Sequence, residues 1–145
     1  MMRKIASLGV VIIMRFVLTA LIFLFGLFDL MMGLNFLLNP AATATGFGLS
    51  ANGTQGLSTL RADFTAFFGV VAACMMIGAW RRNADLLLVP AAVMGVAVSV
   101  RAISLAVDGT YPAWQVPMLV EALHVVLLIA AWRVLPHHRI TELTS

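Results

Sequence analysis

Charge is scarce in this chain. Of 145 residues only 10% are Asp, Glu, Lys or Arg, against 62% hydrophobic, and mean hydropathy is +1.04. A soluble domain averages about 25% charged and about 45–50% apolar residues. This chain therefore has too little polar side chain to cover a water-facing surface. Cysteine is almost missing too: Cys74 stands alone, which excludes an intrachain disulfide and, in its apolar setting, makes it a packing residue. There is no glycine-rich phosphate loop after a strand, no Cys-x-x-Cys pair and no serine–histidine–acid set. The formal net charge is +3, but the arginines are scattered or stand at segment ends without interleaved aromatics. Nucleic acid is thus excluded as a partner, and the basic bias reads as membrane orientation.

What is present is a series of long apolar runs, the signature of an all-α, multi-pass integral membrane protein. The first run extends from Ile5 to Leu38 and is interrupted by Arg15. The span is expected over 16–38, with 1–15 as a cytosolic or interfacial lead-in, and Met14 resembles a second translation start beside Met1. No small-x-small cleavage site points to a removed signal peptide. Asn39-Pro40 ends the helix. A Gly- and Thr-rich connection follows, with room for a short helix or turn around 41–45. Further spans are expected over 59–80, 86–107 and 117–135, separated by Arg81-Arg82-Asn83 and by Asp108-Gly109-Thr110-Tyr111-Pro112. Ser58 or Thr59 is the expected cap of the second. Residues 16–135 form the transmembrane domain and 136–145 a tail.

Four crossings put Arg3, Lys4, Arg15, Arg81, Arg82, Arg133 and Arg139 on one side, with Arg61 and Arg101 towards the other. Because Lys and Arg accumulate in cytoplasmic loops, both termini are expected in the cytoplasm, in an antiparallel four-helix bundle of a bacterial cytoplasmic (inner) membrane. Trp80 and Trp132 then mark the inner boundary, Tyr111 and Trp114 the outer one. Small residues on single faces suit close helix approach: Gly26 and Gly33, Gly69 and Ala73, and Ala91, Gly95 and Ser99. A homo-oligomer or a larger membrane complex could use the same stripes, and membrane lipid is the other expected partner.

The ionisable residues collect at one end. Asp29 and Asn35 lie on the first span, Arg61 and Asp63 early on the second, Arg101 and Asp108 late on the third, and Glu121 and His124 early on the fourth. At about 1.5 Å per residue, Asp29 lies about 13 Å below the helix end, making it the deepest acid. A charge at mid-membrane costs about 2.5–3.5 kcal/mol on insertion scales, so these groups are expected to meet in the interior or in an outward-opening cavity. Arg101 is expected to pair with Glu121 or Asp29. Four acids face only Arg61 and Arg101, so an acid left over either keeps its proton or is matched by a bound cation or cationic ligand. Arg61 should reach towards headgroup phosphate while Asp63 or its neighbouring face turns inward. Glu121-x-x-His124 has the spacing of di-iron bundle ligands, but it occurs once and without the two further glutamates, so no metal is assigned. No cofactor is indicated.

Several segments together resemble a family of small bacterial membrane proteins known as domain of unknown function 4345. They are Gly33-Leu34-Asn35-Phe36-Leu37-Leu38-Asn39-Pro40, Gly46-Phe47-Gly48-Leu49, Leu60-Arg61-Ala62-Asp63-Phe64, Arg101 to Gly109, and Glu121-Ala122-Leu123. The likeness covers 16–135. It implies four membrane helices and polar positions at Arg61, Arg101, Asp108 and Glu121, without a substrate or reaction. The chain departs from the family pattern at Phe64, where a tyrosine is usual.

Three functional classes remain. The leading one is a non-enzymatic accessory subunit or binder of a small hydrophobic ligand. Another is a membrane enzyme using Glu121, His124 and Asp29 in acid–base chemistry on a lipid-like substrate. The third is a transporter component, although no inverted repeat is visible. A cavity beside Glu121 would favour binding or catalysis, and a filled interior the accessory role.

Overall fold

The computed structural model describes residues 2–137, with side-chain surroundings from Gly9 onward. The side chains of Arg3 and Lys4, and the tail beyond His137 with Arg139, lie outside the described residues. The described chain is all-helical: α1 (Met2–Leu38), α2 (Pro40–Thr45), α3 (Gly53–Trp80), α4 (Leu88–Asp108) and α5 (Gln115–Val134), with a 3₁₀ turn at Ala84–Leu87 leading into α4. Four stretches are long and apolar enough to cross a membrane: Gly9–Leu38, Gly53–Trp80, Ala84–Asp108 and Gln115–Val134.

Helix α1 begins well before the span expected at Phe16, because no proline or glycine pair precedes Asn39 to break it. It ends where Asn39 leaves the helical region ahead of Pro40, and Pro40 then opens α2 at a position that needs no amide donor. Side chains reach two of the last carbonyls of α1 and that of Asn39 just beyond it. The Thr43 hydroxyl donates to Asn35 O at 3.1 Å and to Asn39 O at 2.8 Å, and Arg61 Nε donates to Leu37 O at 3.0 Å. Helix α3 starts at Gly53, earlier than the cap expected at Ser58 or Thr59. Gly56 permits this start, since a Cβ there would lie 3.2 Å from the Ala51 carbonyl carbon.

Helix α1 packs chiefly on α3, and α4 on α5. The first pair relies on missing side chains. A Cβ on Gly26 would come within 2.9 Å of Met76 Cγ, and one on Gly33 within 3.4 Å of the Gly69 amide. The Ala91–Gly95–Ser99 stripe is used less: Ala91 is buried, but Ser99 is exposed and bonds back to Gly95 O. Two apolar clusters result. One gathers Ile22, Val71, Met75, Leu87, Met94 and Leu128; the other gathers Phe36, Ala44, Leu60 and Phe68. Phe64 stacks on Phe36 at 4.5 Å between ring centroids. Outward-facing residues are apolar, among them Leu24, Val96, Ile103, Leu119 and Val126. That exterior matches hydrocarbon rather than water.

Candidate functional site

Between the two apolar clusters, α1 presents Asp29 on the same face as Ile22, Gly33 and Phe36. Opposite it, α5 presents His124. Both are almost completely buried, Asp29 at 1% and His124 at 0% exposure. His124 Nε2 lies 3.2 Å from Asp29 Oδ2, and Nδ1 lies 2.8 Å from the carbonyl of Val120, one turn earlier on the same helix. That carbonyl can only accept, so Nδ1 carries a proton. The contact with Asp29 then holds one proton, on either the ring or the carboxyl, and the pair is neutral in both arrangements. The Phe25 ring, one turn before Asp29, meets the imidazole edge-on at 4.7 Å between centroids.

One turn before His124, Glu121 faces α4 instead. Arg101 grips its carboxylate through Nη2 at 2.7 Å and through Nε at 3.2 Å to both oxygens. Arg101 Nη1 also donates to the Tyr111 hydroxyl at 3.1 Å. Such a fork matches a carboxylate in plane and is stronger than a single contact. This second pair is less secluded: 32% of the Arg101 side chain is exposed, against 12% for Glu121. A single turn of α5 thus joins the bundle to α1 through His124 and to α4 through Glu121.

Not every residue expected in this cluster enters it. Asn35, Asp63 and Asp108 are exposed, and among the described residues Asp63 and Asp108 have no side-chain partner. Asp63 does not turn inward, because around α3 it lies to one side of the inward stripe of Leu60, Phe64 and Phe68. The expectation of an unmatched acid in the interior is corrected accordingly: the two acids that enter, Asp29 and Glu121, are both partnered. Arg61 is used locally on the end of α1. Arg101 selects Glu121 rather than Asp29.

Sequence reasoning missed other contributors. Tyr111, read as a boundary anchor, also bonds Arg101; the reversal at Gly109 (φ 91°) and Pro112 was the available clue. The Phe25–Asp29 spacing of four could have placed a ring beside the acid. Nothing in the sequence announced the pair of His137 Nδ1 and Asp85 Oδ1 at 2.9 Å, at the end remote from Glu121. Two surface cavities lie away from Glu121, Asp29 and His124. One is lined by Phe23, Met76 and Trp80, the other by Arg15, Phe16 and Arg82. No three His, Cys, Asp or Glu side chains gather among the described residues; Glu121 and His124 diverge towards different helices.

The family model described as Domain of unknown function (DUF4345) matches residues 17–132, and the chain belongs to that family. No curated protein and no solved structure matches it.

Proposed function

We propose that this chain is a non-catalytic accessory subunit of a larger complex in the bacterial cytoplasmic membrane, an antiparallel four-span bundle with both termini cytoplasmic. The observation that carries this reading is the closure of the interior polar groups. Asp29 with His124 and Arg101 with Glu121 each sum to zero charge, and each acid is occupied by its partner. A closed set offers a substrate no free acid or base. Its physical effect is to fix which helix meets which, and in what register.

Purification from host membranes in mild detergent, followed by native mass spectrometry, tests the role. A second polypeptide held at fixed ratio supports it. A solitary chain carrying a stoichiometric hydrophobic small molecule, released by Glu121→Gln, sinks it in favour of a ligand binder or enzyme. The partly exposed Arg101–Glu121–Tyr111 group is the feature that favours that second reading. A reporter fused after Ser145 tests the orientation; activity only outside the cytoplasm overturns it.

A further inference from the structure

Arg15 interrupts the most apolar helix of the chain, and the polar group around Glu121 does not use it. Its Nε donates to Val134 O at 3.1 Å, at the end of α5, which leaves the Nη donors free to act elsewhere. Arg15 lines a cleft of about 150 Å³ together with Thr19 and Arg82, walled by Ile12, Phe16 and Leu135. No acid lines this cleft. Among the described residues neither arginine forms an ion pair with a carboxylate.

Arg82 is also in the wrong conformation for its type. Asn83 N bonds Gly78 O at 2.9 Å and Arg82 N bonds Ala79 O at 3.4 Å, the paired bonds of a Schellman helix end. Its left-handed position is usually glycine. Here Arg82 occupies it at φ 52°, at a backbone cost of about 1–2 kcal/mol. Glycine would serve the turn better, so the strained arginine points to a use for the side chain. Two guanidiniums facing one cleft repel unless an anion lies between them, and their planar forks suit phosphate oxygens. The apolar walls call for a ligand with a hydrocarbon part beside its charge.

We infer that the cleft between Arg15 and Arg82 binds the phosphate of an anionic phospholipid, with its glycerol and upper acyl chain running past Phe16 towards the bilayer interior. The shared chemistry is a phosphate anion, and the titrants separate its sources. Full-length protein in mild detergent is titrated with dimyristoyl phosphatidylglycerol, with the phosphatidylcholine of the same chains, or with inorganic phosphate, and read by native mass spectrometry. Phosphatidylglycerol should be retained in preference to phosphatidylcholine. Arg82→Gly should weaken its binding about fivefold, the effect of one basic residue near anionic lipid, while the melting temperature holds or rises. Arg82→Asn, which also tolerates the left-handed region, should lose binding equally and guards against a folding defect in either variant. Equal retention of both lipids, or undiminished phosphatidylglycerol binding by the variants, overturns the inference. Inorganic phosphate binding as tightly as phosphatidylglycerol overturns the lipid assignment.

Discussion

His124 and Asp29 stand 95 positions apart in the chain and 3.2 Å apart in the fold, with one proton held between them. Their removal is therefore expected to be asymmetric. Asp29→Asn keeps a donor for Nε2 and should change stability by less than about 1 kcal/mol. Asp29→Leu leaves Nε2 buried without a partner and should cost about 1–3 kcal/mol. The double variant Asp29→Leu/His124→Leu should recover most of that loss. Thermal unfolding in detergent ranks the three, and a double variant worse than both singles would count against the pair as described.

The Arg101–Glu121 pair is partly exposed, so its loss should be milder. Glu121→Gln is expected to cost about 1 kcal/mol, and Arg101→Gln in the same background to cost little more. Additive losses in a double-mutant cycle would show that the two side chains do not act together.

The two small-residue stripes should respond differently to bulk. Gly26→Val meets Met76, Met75 and the Ala72 carbonyl and should destabilise the protein by about 1–3 kcal/mol. Gly95→Ala finds only Val125 Cγ2 at 3.9 Å and should be neutral or stabilising by up to about 1 kcal/mol through helix propensity. Comparable destabilisation by both would assign the α4 stripe an interface that the isolated chain does not display.

Trp132 Nε1 is buried with no hydrogen-bond partner among the described residues. Trp132→Phe removes that unsatisfied donor but also some packing, so its melting temperature should fall less than that of Asp29→Leu. A larger fall than in Asp29→Leu would refute this ranking.

The fold was largely legible because its signals are local. Apolar length gave four spans, and Pro40 and the Arg81-Arg82-Asn83 turn gave their limits. The site was legible only in part. Expense alone predicted that Asp29, Arg101, Glu121 and His124 would seek one another, and the fold pairs buried Asp29 with His124 and the more exposed Arg101 with Glu121. Which partner each takes depends on helix rotation: a single turn separates Glu121 from His124, yet they face different helices. Asp63 and Asp108 look equivalent to Asp29 in composition, but both lie on outward positions, and Asp108 is the last residue of α4. The stressed turn at Arg82 was invisible because sequence does not print φ.

The 95-residue separation of Asp29 and His124 also imposes an order of events. Synthesis delivers Asp29 to the bilayer long before α5 exists, so the acid first enters with no imidazole to meet it. The helix that bears it is the most apolar of the four, and this greasy surplus offsets the penalty, about 2.5–3.5 kcal/mol for an ionised acid at the helix centre. Until the last helix arrives, the nascent hairpin of α1 and α3 carries an open acidic notch, and the arrival of α5 is the step that closes it.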